Sequence, residues 1–146
     1  MQLTSSAFQD KQEIPQKYGK KIENVSLPFA WSGAPAGAKS FALSIVDKHP
    51  IARNYVHWMV ADITADSLKE GASGKSMPAG SKELKPYAGP FPPSGTHDYE
   101  VTVYALKSET LDVPSKVNLE TFESAAKKDS LATAKLTGTF TKIKAS

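Results

Sequence analysis

Pro90-Phe91-Pro92-Pro93-Ser94-Gly95-Thr96-His97-Asp98-Tyr99, followed by Glu100-Val101-Thr102-Val103-Tyr104-Ala105, joins a proline-stiffened loop directly to an alternating run. Successive side chains of a strand leave opposite faces, so His97 and Tyr99 share a face with Val101, Val103 and Ala105. The apolar members make that face the buried one. An imidazole and a phenol at the rim of an apolar face, beside a preorganised loop, describe a small-ligand pocket better than a solvated edge.

Similar runs lie on either side. Phe41 to Val46 reads as a strand with Phe41, Leu43 and Ile45 facing one way, and Asp47 shares their parity at its C-terminal end. Tyr55 to Ile63 reads as a second strand. Strict alternation puts Tyr55, His57, Met59, Ala61 and Ile63 on one face and turns Trp58 to the other. Tyr99 to Leu106 is a third. Ala134, Leu136, Gly138 and Phe140 alternate with Lys135, Thr137, Thr139 and Thr141 as a half-buried strand.

The helical signal runs from Leu119 to about Ser130, with Asn118 as N-cap, Glu120 in the first turn and Lys127-Lys128 at the C-terminal end. Segment 20–31 holds one or two shorter strands interrupted at Pro28. Segment 64–88 reads as a long surface excursion, of a length that is uncommon and often functional. No repeat, low-complexity tract or linker divides the chain. The expectation is one domain over 1–146, all-β (β-rich), a sandwich with one C-terminal helix and short helical turns.

Composition narrows the function classes. With no cysteine, neither a disulfide framework nor a thiolate metal site is available, which is compatible with a cytoplasmic location. The first residues, Met1 to Phe8, show neither the basic nor the apolar region of a signal peptide, and no apolar run is long enough for a membrane span. The formal net charge is +3, from 18 Lys+Arg against 15 Asp+Glu, with Arg53 as the single arginine. Nucleic-acid binding calls for a denser basic stripe, so no nucleic-acid partner is expected.

Asp47 ends one strand and His57 lies near the start of the next, with 48–54 able to turn the chain between them. If the two pair antiparallel, both residues lie at the same end of the sheet. His97 and Tyr99 begin a third strand in a comparable position. Polar groups on the core side of a sandwich are costly without partners, so their convergence marks a site.

Asn24-Val25-Ser26-Leu27-Pro28-Phe29-Ala30-Trp31-Ser32-Gly33-Ala34-Pro35, Lys39 through Asp47, Val56-His57-Trp58, and the Gly89–Tyr99 loop with Tyr104-Ala105-Leu106 together resemble the phosphatidylethanolamine-binding protein family. They look most like its bacterial and archaeal Raf kinase inhibitor-like branch. The resemblance implies a β-sandwich with Greek-key features and an anion pocket at one end. Asp47 matches the first aspartate of the family's Asp-Pro-Asp-Ala-Pro motif, His57 the pocket histidine and Tyr55 an aromatic wall. Gly89, Pro90, Phe91, Pro92 and Pro93 match the loop bordering the bound phosphate-like group, and His97 and Tyr99 match the ends of a His-Arg-Tyr motif. Two positions depart from the pattern: His49 stands at the second carboxylate, and Asp98 replaces the arginine. The extra C-terminal helix that closes the pocket edge in eukaryotic members, beyond the helix at 119–130, is not expected here.

The function expected is non-catalytic binding of a small anion or phosphorylated headgroup, without a cofactor. His57 is expected to donate to the anion with Asp47 orienting it, and backbone N–H groups near Gly89 to Phe91 are expected to assist. The alternative is a kinase or protease inhibitor using the pocket or neighbouring loops, and a homodimer is implied by resemblance to bacterial relatives. Asp47, His57 and His97 have the composition of a facial metal triad, but nothing in their spacing demands a metal. A hydrolase built on Ser94 lacks the Gly-x-Ser-x-Gly elbow and is not expected. His49 and Arg53, in a loop, are expected to be solvent-exposed, and Trp31 and Trp58 to pack in the core.

Overall fold

The structure, a computed structural model, describes residues 1–143. Along them run β1 (Gln2–Thr4), a 3-10 turn (Gln16–Tyr18), β2 (Phe29–Ser32), β3 (Ser40–Asp47), a second 3-10 turn (Pro50–Ala52), β4 (Val56–Ile63), β5 (Ser67–Leu68), β6 (Lys82–Lys85), β7 (Thr96–Leu106), α1 (Leu119–Asp129) and β8 (Ser130–Thr141). They form two antiparallel sheets, one ordered β1-β2-β5 and the other β6-β4-β3-β7-β8.

The larger sheet is buried on both faces. Inside the sandwich, Leu43, Ile45, Val60, Val101 and Val103 meet Leu3, Phe29, Trp31 and Leu68 of the smaller sheet. On the outer face, Ala42, Met59, Ala61, Tyr104 and Leu106 pack against Phe122 and Ala126 of α1. This double burial is why β3 and β7 carry apolar residues at both parities rather than a clean alternation. Removing Phe122 from water contributes about 1.5–3 kcal/mol to holding the helix there. The helix begins at Asn118, whose side chain accepts from the Thr121 N–H at 2.9 Å while the Thr121 hydroxyl accepts from the Asn118 N–H at 3.0 Å. This reciprocal pair satisfies two of the donors that a helix start leaves open.

β4 does not keep strict alternation. Trp58 pairs with Ile45 while Val56 pairs with Val46, which leaves His57 as an extra residue at a β-bulge. A second irregularity follows between the Phe41–Ile63 and Leu43–Val60 pairs, where Asp62 adopts φ +58°. Trp58, Val60 and Ile63 therefore enter the sandwich interior, and Met59 and Ala61 face the helix. The expected common face of His57, Met59, Ala61 and Ile63 is thereby corrected. Two inserted residues reset the phase twice.

Segment 64–88 is likewise more than a surface excursion. It contributes β5 and β6 and buries Leu68, Ala72 and Tyr87. The Glu83 carboxylate gathers it by accepting from Trp58 Nε1 at 2.8 Å, Ser73 Oγ at 2.5 Å and the Gly74 N–H at 2.6 Å. These bonds fix the path of the chain into the Ala88–Pro93 loop.

Candidate functional site

Antiparallel pairing brings the end of β3 and the starts of β4 and β7 to one end of the sandwich. Asp47 lies directly opposite Tyr99 in the β3–β7 ladder. The β4 bulge rotates His57 inward, so its ring meets the Tyr99 ring edge-on at 5.1 Å between centroids. The Ala88–Pro93 loop closes the third side. A cavity of about 320 Å³ opens there, lined by Lys20, Asp47, Ile51, Ala52, Tyr55, His57, Ala88, Gly89, Phe91, Pro93 and His97.

Seven of the ten residues matched to the pocket from the sequence line this cavity: Asp47, Tyr55, His57, Gly89, Phe91, Pro93 and His97. Tyr99 is fully buried behind His57, and Pro90 and Pro92 turn toward a neighbouring trough. Lys20, Ile51 and Ala52 are lining residues that local patterning did not reveal. They arrive through turns distant in sequence, and nothing at those positions alone distinguishes them from surface residues.

The loop owes its position to Gly89. A Cβ at this residue would lie 2.0 Å from the Tyr18 carbonyl oxygen and 2.7 Å from the Lys20 nitrogen, a space only hydrogen can occupy. Asn24 Oδ1 accepts the Gly89 N–H at 2.7 Å, and the Pro90 carbonyl accepts the Lys20 N–H at 3.1 Å. Those bonds correct the expected row of backbone donors. The Gly89 N–H is already engaged, Pro90 has none, and only the Phe91 N–H is left, near the Tyr99 hydroxyl.

The two histidines divide differently from expectation. Asp47 Oδ2 accepts from Nδ1 of His97 at 2.7 Å, so the carboxylate orients His97 rather than His57. Asp47 Oδ1 accepts the His49 N–H at 2.9 Å. The His49 ring stacks on His97 with centroids 3.9 Å apart and planes 8° from parallel, and its Nδ1 accepts the Ile51 N–H at 3.2 Å. His49 is therefore a structural partner of the site rather than a free loop residue. Asp98, at the other departure from the family pattern, is exposed and does not line the cavity.

His57 is held from the opposite side. Its Nδ1 donates to the Ala88 carbonyl at 2.7 Å, since a carbonyl can only accept, and this leaves Nε2 for a ligand. Burial lowers the His57 pKa below 6.5, and Lys85 lowers it further. The Ala88 carbonyl, Asp47 and Gly89 oppose that shift without reversing it. Lys85 also lies over the Tyr55 ring, with Nζ 3.9 Å from its centroid, and donates to the Val56 carbonyl.

Two further polar atoms converge on this end of the sandwich. His97 Nε2 and the Tyr99 hydroxyl are buried without a hydrogen-bond partner among the described residues. The hydroxyl lies near Asp47 and the Phe91 N–H but at bonding geometry to neither. Burial first, then the Asp47 charge, raises the Tyr99 pKa and keeps the phenol neutral and able to donate. Among the described residues no cluster of three His, Asp or Glu side chains has the arrangement of a metal centre. The lining thus combines one cation, Lys20, two imidazoles and the Asp47 carboxylate with apolar Ile51, Ala52, Phe91 and Pro93, and the Tyr99 phenol lies behind His57.

Comparison with known proteins gives a consistent picture. A family model described as phosphatidylethanolamine-binding protein matches residues 4–141. A UPF0098 protein of Methanothermobacter thermautotrophicus is 35% identical over 149 residues, covering 96% of this chain and 98% of its own length. The UPF0098 protein YbhB of Escherichia coli is 32% identical, over 96% of this chain and 99% of its own. Among solved structures, E. coli YbcL, described as a new member of the mammalian PEBP family, superposes with a TM-score of 0.86 at 27% identity, covering 98% of each chain. A putative PEBP homologue from Chlamydia trachomatis, CT736, gives a TM-score of 0.83 at 31% identity over 97% of each chain.

Proposed function

Because the chain belongs to the phosphatidylethanolamine-binding protein family, we propose that it binds a small oxyanion or phosphorylated headgroup in the His57 cavity, without turning it over. The observation that carries this reading is the fixed orientation of His57. With Nδ1 held by the Ala88 carbonyl, a proton on Nε2 makes the ring a cationic donor toward the cavity. Lys20 adds positive charge to the cavity lining, and the Phe91 N–H is a neutral donor on the loop side.

Asp47 also lines the cavity, but its two oxygens are engaged by His97 Nδ1 and the His49 N–H, so its part is to orient His97 rather than to contact an anion that its charge would repel. A reading without turnover is supported by the position of Ser94, which is exposed on the loop and does not line the cavity.

The test is an NMR titration of the isotopically labelled chain with inorganic phosphate. Shifts should concentrate at the amides of His57, Phe91 and His97, and His57→Ala should abolish them. Shifts spread over the helix face, or binding retained by His57→Ala, would remove the cavity from consideration.

A further inference from the structure

The three histidines of the chain differ in what their ring nitrogens have left to offer. His49 Nδ1 accepts the Ile51 N–H at 3.2 Å, so the neutral ring carries its proton on Nε2 and its one lone pair is taken. His97 Nδ1 is bonded to Asp47 Oδ2 at 2.7 Å, and its Nε2 is closed off from solvent in a side chain only 1% exposed. His57 is the exception. Its Nδ1 donates to the Ala88 carbonyl at 2.7 Å and its ring lines the open cavity, so the neutral ring holds a free lone pair on Nε2.

That lone pair has a fixed direction. The Tyr55 ring meets the imidazole at 66° with centroids 4.9 Å apart, and the Tyr99 ring meets it at 77° and 5.1 Å. Two edge-on aromatic neighbours and the Ala88 bond together oppose the ring flip that would exchange the nitrogens. Burial, aided by Lys85, lowers the His57 pKa below 6.5, which keeps Nε2 unprotonated at neutral pH. An effective nucleophile needs an unprotonated atom, a set orientation and room for the electrophile. Lys20, in the same lining, supplies a cation for the oxygens of an anionic electrophile.

We propose that His57 Nε2 is a phosphoryl-acceptor site, modified once per chain by a small acyl phosphate. The Nε2 lone pair forms a bond to phosphorus while the bond from phosphorus to the acyl oxygen breaks, and that electron pair leaves with the carboxylate. No proton moves. Nδ1–H stays on the Ala88 carbonyl and the ring takes up the positive charge, which the nearby Asp47 carboxylate favours. The proposal rests on the reading of the cavity as an oxyanion site and goes beyond it, since a bound oxyanion exchanges freely whereas the phosphoryl group is covalent. It is a single modification that consumes its nucleophile, not turnover.

The test is incubation of the full chain with acetyl phosphate at neutral pH, followed by intact-mass analysis under neutral conditions. A gain of one phosphoryl group is expected, and phosphorus–nitrogen coupling in NMR should place it on Nε2 of His57. His57→Gln, whose amide can still donate to the Ala88 carbonyl, should lose the gain, and Ser94→Ala should keep it. Should His57→Gln fail to fold, the NMR assignment in the unaltered chain decides. No gain in a chain whose cavity amides shift with inorganic phosphate overturns the proposal and leaves the oxyanion site intact. No gain and no response to inorganic phosphate overturns both. A phosphoryl group on Lys20, His49 or His97, on Nδ1 of His57, or retained by folded His57→Gln also overturns the proposal.

Discussion

Asp47 and His97 share a buried hydrogen bond, Oδ2 to Nδ1 at 2.7 Å, with side chains only 6% and 1% exposed. Burial at this depth makes the pair primarily a structural element: a carboxylate stripped of water needs its donors. His97→Ala leaves Asp47 with the His49 N–H alone and also removes the surface on which His49 stacks. The expected cost is about 3–5 kcal/mol, the range for breaking a buried pair from one side. Urea denaturation measures it, and a loss below about 1 kcal/mol would show that water reaches the carboxylate.

His57 sets the pH dependence of anion binding. Its Nδ1–H is committed to the Ala88 carbonyl, so Nε2 bears a proton only when the ring is cationic. The charged and titratable groups around it are Asp47 on β3, Lys85 on β6, Tyr99 on β7 and Tyr55 just before β4; burial, aided by Lys85, outweighs Asp47 and the Ala88 and Gly89 backbone in lowering its pKa below 6.5. The ring of the free protein is therefore neutral at neutral pH. Sulfate brings no proton of its own, so its affinity should fall about tenfold per pH unit above the His57 pKa. Phosphate, whose monoanion can donate to a neutral Nε2, should fall less steeply. Calorimetry over about pH 5 to 8 checks both slopes, and a flat sulfate profile would falsify the role given to His57.

Gly89→Ala probes how closely the loop approaches the 18–20 turn. Its methyl group would meet backbone atoms on two sides, at 2.0 Å from the Tyr18 oxygen and 2.7 Å from the Lys20 nitrogen, and neither can swing away as a side chain would. The turn must open, which strains the Asn24–Gly89 and Lys20–Pro90 hydrogen bonds. A destabilisation of about 1–3 kcal/mol is expected, together with weaker phosphate binding as Phe91 moves. Thermal denaturation and a phosphate titration of the variant report the two effects separately, and an unchanged Tm would count against the tight approach.

The sequence pattern located the site better than it assigned the bonds within it. Antiparallel pairing alone puts Asp47, His57 and His97 at one end, because the end of one strand and the start of the next must adjoin. Which histidine Asp47 holds depends on the bulge at His57, and no glycine marks that bulge. The one cue in β4 is Asp62, a residue tolerant of positive φ within an otherwise apolar strand. The capture of the Gly89 N–H is hidden from the sequence for a different reason. Asn24 reaches Gly89 from 65 residues away, and such a long-range capture leaves no local pattern. The same holds for Lys20, Ile51 and Ala52, which tertiary packing alone brings to the cavity.

His49 offers the sharpest separation of roles. It stands where the family pattern has a second carboxylate, and it contributes a ring stacked on His97 and an acceptor for the Ile51 N–H that opens the Pro50–Ala52 turn. His49→Ala removes both side-chain contributions while retaining the backbone N–H to Asp47. The lost cap should cost roughly 0.5–1 kcal/mol and the lost stack about 0.5–1.5 kcal/mol. His49→Asn restores an acceptor at the cap without restoring the stack, so it should recover only the first part. Because Ile51 and Ala52 form part of the cavity wall, the alanine variant should also weaken phosphate binding more than the asparagine variant does. Urea denaturation paired with phosphate calorimetry on the two variants measures this. Equal effects would mean that the stack carries the whole contribution and the cap none.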